Sequence, residues 1–277
     1  MKFTDKIRRA RERSNSLLCI GLDTDWRKVP ESVRGEENPV LAFNRAIIDA
    51  TQDIACAYKL NLAYYEAYGE AGIKAVQGTL SAIPDDIVTI GDVKRGDIGA
   101  TSDQYAYAYQ EYFPFDSITI NPLMGTDAVE PFIRNEDKAV FFLGLTSNPG
   151  AQDFEYLELK NGKRLYEEIT DKVREWNQAK QNCGLVVGAT KPAELRALRE
   201  RAPELPFLVP GVGTQGGSLS EVISANGNGE ILINVSRAVA SASTAGDFAE
   251  AARGAALKLV EEMRGLSPML KASLQSA

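Results

Sequence analysis

Eight short apolar segments alternate with amphipathic helical segments along this chain of 277 residues. The short segments are rich in β-branched residues and end at turn-forming residues, a pattern that predicts strands. The predicted strands cover residues 17–23, 56–61, 86–94, 117–121, 139–145, 183–189, 206–211 and 230–236. Because a helix between two strands returns the chain to the same end of a sheet, these strands are expected to run parallel.

Eight strand–helix units in a chain of this length favour a closed barrel over an open sheet. We therefore predict an α/β fold, a single (β/α)8 TIM barrel. Barrels of this size usually form one domain, so residues 1–277 are expected to be a single catalytic domain. The charged segment 1–16 lacks the apolar stretch of a signal peptide and predicts an extra N-terminal helix on the surface.

The chain contains no histidine, which removes several kinds of chemistry. A Ser-His-Asp triad, a Cys-His dyad and a histidine-ligated zinc or haem all need an imidazole ring. The three cysteines, Cys19, Cys56 and Cys183, lie far apart in the sequence. Their spacing argues against structural zinc, iron–sulfur clusters and a disulfide scaffold, and it favours a reducing cytoplasm. Acid–base work must therefore fall to Asp, Glu, Lys or Tyr.

The charge and hydropathy of the chain narrow the kind of partner it can have. A formal net charge of -7 disfavours nucleic acid or an anionic membrane as the main partner. The longest apolar runs, such as residues 139–145, are too short to span a bilayer. We therefore expect a cytoplasmic protein that binds neither nucleic acid nor membrane.

Polar side chains gather where the predicted strands end. They include Asp23, Lys59, Asn61, Asp92, Lys94, Asn121, Thr146, Ser147, Ser236 and Arg237. In a barrel these ends form one face, and active sites lie on that face. The start of a loop is explanation enough for Asn121 and Thr146. Charged residues within apolar strands are rarely buried unless paired, so Lys59, Asp92 and Lys94 are predicted to meet in a functional site.

The third predicted strand ends in a D-x-K-x-x-D run formed by Asp92, Lys94 and Asp97. Residues two apart on a strand project from the same face, which places Asp92 beside Lys94. With Lys59 on the neighbouring strand, an alternating Lys–Asp–Lys–Asp array would hold opposite charges a few ångströms apart and tune one lysine as an acid. A surface ion pair is the alternative interpretation.

The segment GVGTQG at 211–216 matches the G-x-G-x-x-G pattern of dinucleotide-binding folds. We reject that interpretation because the match follows the seventh strand, and because Glu230 begins its strand where a ribose-binding acid would end it. Loops after strands seven and eight of barrels commonly bind phosphate. We expect backbone N–H groups at Gly213, Gln215 and Gly216 to do so, with a charge-assisted contact from Arg237.

The run GDVKRGDI at 91–98, followed by Thr101, resembles the signature of orotidine 5′-phosphate decarboxylases in their longer bacterial form. Further similar blocks are LCIGLDTD, YKLNLAYYEAYG, ITINPLMG, GLTSNPG, VPGVGTQGG and NVSRA. A D-x-K-x-x-D run alone is shared with related phosphosugar decarboxylases and synthases. The combination of blocks is more specific and covers most of the chain.

This resemblance implies an activity and an assembly. Orotidine 5′-phosphate would lose carbon dioxide without a metal or cofactor, giving uridine 5′-phosphate in the last step of de novo synthesis of that nucleotide. Lys94 would protonate the C6 carbanion, flanked by Asp92 and Lys59. Asp97 and Thr101 would reach into the active site of a second subunit, which implies a homodimer.

The resemblance also implies how the nucleotide substrate is held. Asp23 and Lys59 would contact the ribose hydroxyls. The pyrimidine would be bordered by Thr146 or Ser147 and by Pro210, and the phosphate bound by Gln215 and Arg237 with backbone help from Gly213 and Ser236. Asn121, at the end of the fourth strand, is a further candidate substrate-binding residue.

The residues alone leave two other functions open. One is a phosphosugar enzyme on the same barrel, either metal-dependent or an aldolase whose lysine forms a Schiff base. Against the metal-dependent form, the sequence has no carboxylate pair with clear octahedral-site spacing. The other is a barrel that binds a phosphate ligand without turnover, although a binding protein has no need for so costly a cluster of charges.

Overall fold

The computed structural model describes residues 1–213 and 216–275, and its eight parallel strands close into a barrel. The strands are β1 (Leu18–Gly21), β2 (Ala57–Asn61), β3 (Val88–Arg95), β4 (Ser117–Ile120), β5 (Ala139–Leu145), β6 (Cys183–Val187), β7 (Phe207–Pro210) and β8 (Ile231–Val235). Each strand pairs with its neighbours in sequence, and β8 pairs with β1 to close the ring. The predicted (β/α)8 barrel is confirmed, and every strand boundary lies within two residues of its predicted position.

Helices surround the strands. They are α1 (Phe3–Ser14), α2 (Glu31–Arg34), α3 (Pro39–Thr51), α4 (Ala63–Glu66), α5 (Gly69–Ala82), α6 (Gly99–Tyr107), α7 (Thr126–Ile133), α8 (Ala151–Phe154), α9 (Leu165–Lys180), α10 (Pro192–Arg201), α11 (Leu219–Asn226), α12 (Arg237–Ala240), α13 (Phe248–Leu266) and α14 (Pro268–Gln275). A 3-10 turn spans Trp26–Lys28, and a π-helical turn at Ala108–Tyr112 extends α6. No helix within the described ranges is long and apolar enough to cross a membrane.

The predicted N-terminal helix is present, and it covers the end of the barrel where the strands begin. One face of α1 carries Phe3, Ile7 and Ala10, which are buried against inward-facing strand residues such as Phe141. The ring of Phe3 meets that of Phe141 edge to face, with the centroids 5.9 Å apart. The helix is therefore more than a surface element, because it closes the end of the barrel where the strands begin. A polar site is then expected at the opposite end, where the strands finish.

Candidate active site

A cavity of about 300 Å³ opens where the strands end. Of the residues predicted for the site, it is lined by Asp23, Lys59, Asp92, Lys94, Thr146, Ser147, Pro210, Ser236 and Arg237. These residues come from the ends of six different strands or from the loops that follow them. The parallel barrel brings them together because all its strands end on the same face.

The charged residues from β2 and β3 form a continuous row in this cavity. The buried Lys59 Nζ lies 3.1 Å from Asp92 Oδ2 and 3.5 Å from Asp23 Oδ1. On the other side of Asp92, Lys94 Nζ lies 2.5 Å from Oδ1. Each oxygen of the Asp92 carboxylate therefore faces a different lysine.

Both buried members of this row remain charged at neutral pH. Burial by itself would lower the pKa of Lys59, but the attraction of Asp92 and Asp23 outweighs it, so the pKa of Lys59 is raised above its ordinary value. Burial would likewise raise the pKa of Asp92. The attraction of Lys59 and Lys94, together with hydrogen bonds to the carboxylate, instead holds that pKa well below its usual range.

An irregularity in β3 positions Lys94. Pairing with β4 is regular at Gly91, opposite Ile118, and resumes at Arg95, opposite Ile120. Three residues of β3 therefore lie opposite one residue of β4, which is a bulge. Lys94 has φ of 47°, in the left-handed region that non-glycine residues rarely adopt. The two-residue spacing predicted that Asp92 and Lys94 meet, and they do, but through a bulge and not along a regular strand.

Thr119, the β4 residue opposite the bulge, was missed by the sequence reasoning. Its buried hydroxyl donates to Asp92 Oδ1 at 2.8 Å and accepts the backbone N–H of Lys94 at 3.1 Å. A single hydroxyl thus joins the central carboxylate to the backbone of the neighbouring lysine. The only available signal was a polar residue within the apolar run SITI.

Arg95, which follows the bulge, fastens β3 to the surrounding helices. Its guanidinium pairs with Glu66 at the end of α4 and donates to the Tyr109 hydroxyl at 2.9 Å. It also lies 5.5 Å from the ring centroids of both Tyr105 and Tyr109. The strand is therefore held on both sides of Lys94, by Thr119 on one side and by Arg95 on the other.

The opposite wall of the cavity comes from β5, β7 and β8. The backbone N–H and the hydroxyl of Thr146 both donate to the Glu155 carboxylate, at 2.7 Å each, which ties the loop after β5 to the end of α8. Ser236 lies between β8 and α12, next to Arg237. A Cβ atom at Gly21 would fall 1.9 Å from Ser236 Oγ, so only glycine at that place in β1 lets Ser236 reach this position.

Part of the predicted phosphate site cannot be placed as expected. Gln215 lies outside the described residues. Gly213 does not line the cavity, and its backbone N–H donates to the Gly217 carbonyl at 3.0 Å. The N–H of Gly216 likewise donates to the Gly213 carbonyl, at 2.8 Å. Both N–H groups are used within the loop, and their contact with phosphate stays a prediction. Arg237 and Ser236 do line the cavity.

Three other predicted residues lie outside the cavity. Asn121 caps its own turn, its side chain accepting the Leu123 N–H at 3.0 Å. Asp97 Oδ1 accepts the N–H of Ile98 at 2.8 Å, and Thr101 is exposed on α6. The charged row that one chain assembles is Lys59–Asp92–Lys94, without Asp97.

The cavity also contains residues that the sequence reasoning did not select. The polar ones are Thr119 and Asn234, and apolar ones include Leu143, Val186 and Leu208. Asn61, noted in the sequence as a polar strand end, and Asn148, in the loop after β5, line it as well. The apolar residues carry no signal in the sequence, because a strand residue facing a cavity and one facing the core look alike. Within residues 1–213 and 216–275, no group of three or more Cys, Asp and Glu side chains is placed to hold a metal ion.

Comparison with known proteins gives one consistent result. A family model described as Orotidine 5′-phosphate decarboxylase / HUMPS family matches residues 16–254. A protein named orotidine 5′-phosphate decarboxylase from Herpetosiphon aurantiacus is 48% identical over 252 residues, covering 91% of this chain and 94% of that protein. One of the same name from Thermomicrobium roseum is 43% identical over 263 residues, or 94% of each chain. The solved structure of Leishmania donovani OMP decarboxylase is similar with a TM-score of 0.83 and 37% identity, covering 96% of this chain and 98% of that one.

Proposed function

The chain belongs to the orotidine 5′-phosphate decarboxylase / HUMPS family and is a lyase that releases carbon dioxide, and from that premise we propose that Lys94 donates the proton that completes the reaction. Orotidine 5′-phosphate is converted to uridine 5′-phosphate, the last step in the synthesis of that nucleotide. The main support for this role is that Lys94 is the most exposed member of the row Lys59–Asp92–Lys94. The Lys94 side chain is 48% exposed and borders the cavity, whereas Lys59 and Asp92 are 5% and 10% exposed.

The chemistry calls for a fixed cation next to the reacting carbon. The bond between C6 and the carboxyl carbon breaks, carbon dioxide leaves, and the electron pair stays on C6, where the ring delocalises it poorly. A proton from the Lys94 ammonium then forms the new C6–H bond. A preorganised ammonium aimed at the developing charge stabilises the transition state without the reorganisation that water would need.

Repulsion between Asp92 and the substrate carboxylate is too weak to be the main effect. Two charges 4 Å apart interact by about 4 kcal/mol at an effective dielectric constant near 20. Enzymes typically lower reaction barriers by roughly 8–23 kcal/mol. We therefore assign the larger share to Lys94, held in place by Asp92 and Lys59.

The far side of the cavity supplies substrate binding. Arg237 offers a planar cation suited to phosphate, and Ser236 lies beside it. For the phosphate to use the N–H of Gly213, this glycine must give up its bond to Gly217. Binding energy gained at the phosphate, remote from C6, is then available to close the loop and exclude water from the reacting carbon.

The remaining contacts follow from the lining of the cavity. Asp23 and Lys59 contact the ribose hydroxyls in this proposal. Thr146, Ser147 and Pro210 border the pyrimidine. Asn121 is the weakest assignment, because its side chain lies outside the cavity and is occupied by its own turn.

We assign Asp97 and Thr101 to the active site of a second subunit. Both lie outside the cavity of their own chain, Asp97 in the loop after β3 and Thr101 in α6. Exposed apolar side chains lie in that loop and in the loop after β4. Ile98, Leu123 and Met124 are 54%, 61% and 49% exposed. A homodimer that covers these side chains removes apolar surface from water and completes the Lys–Asp–Lys–Asp array across the interface.

A subunit-mixing experiment tests this arrangement. Lys94→Ala and Asp97→Ala proteins are each expected to be nearly inactive, but each hybrid dimer contains one intact site. Random re-association in equal amounts is expected to restore roughly a quarter of wild-type activity. Activity that stays at the level of the separate variants would place Asp97 in its own chain's site or outside catalysis.

We further propose that the reaction needs no metal or cofactor and takes place in the cytoplasm. The three cysteines are buried free thiols, which suits a reducing compartment. The test follows the loss of the orotate absorbance with purified enzyme, with and without EDTA, beside Lys94→Ala. We expect rapid loss that EDTA does not affect and that disappears in the variant.

Other outcomes point to the other functions. A folded wild-type protein that binds uridine 5′-phosphate without turning over orotidine 5′-phosphate would be a binding protein. One that neither binds nor reacts would belong with the phosphosugar enzymes. Turnover that EDTA abolishes would overturn the metal-free mechanism, but orotidine 5′-phosphate would still be the substrate.

A further inference from the structure

We propose that Thr119 is a positioning residue for the reaction, whose single hydroxyl fixes both the Asp92 carboxylate and the backbone of Lys94. The inference rests on the proposed role of Lys94 as proton donor. Thr119 is buried in the middle of β4, opposite the bulge in β3. It acts through Asp92 and Lys94, not by binding substrate.

The direction of both hydrogen bonds is determined by their chemistry. A backbone N–H can only donate, so the Thr119 oxygen accepts the Lys94 N–H at 3.1 Å. An ionised carboxylate can only accept, so the one hydroxyl proton goes to Asp92 Oδ1 at 2.8 Å. No other proton arrangement satisfies all three groups while Asp92 is charged.

Without this hydroxyl, the carboxylate is held by its lysines alone. Asp92 Oδ1 accepts from Lys94 Nζ and from Thr119, whereas Oδ2 accepts from Lys59. Of these donors, Lys94 is on a long, half-exposed side chain that must also reach the substrate. The Thr119 hydroxyl is on a short side chain in a strand, and it fixes the rotation of the carboxylate while Lys94 moves its proton.

The backbone of Lys94 needs the same hydroxyl for a second reason. Its left-handed conformation lies within the bulge, where ladder bonds between β3 and β4 are interrupted. An uncommon backbone conformation persists only when its surroundings determine it. The N–H of Lys94, which is partly buried, also needs an acceptor. Thr119 supplies that acceptor on one side of Lys94, and the pairing of Arg95 with Glu66 holds the chain on the other.

The barrel contains a matched control at its other end. Thr89 in β3 makes the same kind of bridge: its hydroxyl donates to Asp116 Oδ2 at 2.9 Å and accepts the Asp116 N–H at 3.0 Å. Thr89 does not line the active-site cavity. Replacing either threonine with valine keeps the side-chain shape and removes one buried hydroxyl next to one carboxylate.

The experiment compares steady-state kinetics of the wild type, Thr119→Val, Thr119→Ser and Thr89→Val between pH 4 and 9. Losing a hydrogen bond to a charged group is expected to lower kcat of Thr119→Val about 10- to 100-fold, while KM stays within about 3-fold. Thr119→Ser is expected to recover most of kcat, and Thr89→Val to keep wild-type kcat.

The pH profile separates positioning from simple damage. A hydrogen bond to the ionised carboxylate lowers its pKa, so its removal raises the pKa of Asp92. The pKa of Asp92 lies below its ordinary value of 3.8, so the acidic limb of kcat is expected below pH 4 in the wild type and in Thr89→Val. In Thr119→Val this limb is expected to move up to the acidic end of the measured range. If Thr119→Val fails to fold, Thr119→Ala against Thr119→Ser makes the same comparison, because both lack the methyl group and only one keeps the hydroxyl.

Several results would overturn the inference. They are wild-type kcat in Thr119→Val, a serine variant no better than the valine or alanine variant, an equal loss in Thr89→Val, or an unmoved acidic limb. An inactive wild-type enzyme is a different result, since it contradicts the proposed decarboxylation itself.

Discussion

Each end of the β3–β4 pair has a cluster of threonine, aspartate and lysine side chains, but the two clusters differ in how the lysines pair with the aspartate. At the lower end, where the strands begin, Thr89 bridges Asp116, and both oxygens of Asp116 lie 2.7 Å from Lys6 Nζ. At the upper end, Thr119 bridges Asp92, whose two oxygens face two different lysines. The Asp116 carboxylate pairs with a single, partly buried lysine, whereas the Asp92 carboxylate pairs with a buried lysine and with a second, half-exposed one.

Cavity size does not distinguish these two ends. The cavity beside the lower cluster is larger, about 550 Å³ against about 300 Å³ at the upper end. What differs is the charge and the backbone: the Lys6 side chain is 16% exposed, that of Lys94 is 48% exposed, and only the upper lysine sits in a bulge with positive φ. The exposure of Lys94 and its uncommon backbone conformation indicate a catalytic role. The less exposed ion pair between Lys6 and Asp116 indicates a structural role.

Replacing Lys94 at the upper end and Lys6 at the lower end should give the largest difference in kcat between the two ends. Lys94→Ala is expected to lower kcat by about 10⁴-fold, since both proton donation and charge stabilisation are lost. Lys6→Ala should leave kcat within about 2-fold and instead lower the free energy of unfolding by about 1–3 kcal/mol, because Asp116 loses its cation. Steady-state assays and urea unfolding of both variants make the measurement. Comparable kinetic losses in the two variants would remove the distinction.

Neutralising the carboxylates should reproduce the contrast with a smaller kinetic effect. Asp92→Asn leaves Lys59 and Lys94 without their shared anion and should lower kcat by about 10²- to 10³-fold. Asp116→Asn at the lower end should cost stability, about 2–3 kcal/mol, with little change in kcat. An Asp92→Asn enzyme with normal turnover would contradict the proposal that Asp92 holds Lys94 in place.

The upper cluster should also show a pH dependence of stability. The pKa of Asp92 lies below its ordinary value of 3.8, so its ionised form stabilises the fold above that pH, and the stabilisation is lost as the pH falls toward the folded-state pKa. The pKa of Lys59 lies above 10.5, so its contribution is complete below pH 10.5 and is lost only at more alkaline pH. The difference in unfolding free energy between wild type and Asp92→Asn should be constant from about pH 5 to 9 and shrink by about 2 kcal/mol in more acidic solution. Urea titrations at each pH measure it, and a difference that does not change with pH would contradict the assigned charges.

The smallest expected effect on kcat concerns the hydrogen bond from Arg95, which follows the bulge, to the Tyr109 hydroxyl. Tyr109→Phe removes the hydroxyl that accepts from Arg95 but keeps the ring, so kcat should fall only about 2- to 5-fold. Tyr105→Phe is the control, because its ring also lies next to Arg95 but its hydroxyl is not the acceptor. An equal or larger loss in the Tyr105 variant would show that the hydrogen bond from Arg95 to the Tyr109 hydroxyl is not what holds β3.

The sequence allows the barrel to be predicted, and with it three members of the upper cluster, Lys59, Asp92 and Lys94, but not the fourth, Thr119. Alternation of apolar strands with helices is a pattern over the whole chain, and charged residues such as Lys59 and Asp92 stand out inside apolar strands. Thr119 does not stand out, because threonine is an ordinary strand residue. The bulge is a property of register between β3 and β4, which neither strand reveals alone.

The lower cluster was not predictable for a related reason. Lys6 and Asp116 are 110 positions apart, and a charged N-terminal segment looks like any solvated helix. Only the closed barrel brings that helix to the beginning of β4. The segment 211–216 shows the converse, since its glycine pattern predicted N–H groups exposed for phosphate but did not reveal that the N–H of Gly213 donates within the loop.

The plug formed by α1 has a consequence for how the chain is made. Helix α1 docks on groups that are synthesised much later, such as Glu230, the partner of Arg11. Likewise, one edge of β1 stays unpaired until β8 has been made. At synthesis rates of about 5–20 residues per second, that interval lasts on the order of tens of seconds. During this time the first strand has an unpaired edge and the first helix an uncovered apolar face, so the nascent chain is most open to misassembly just before its last strand emerges.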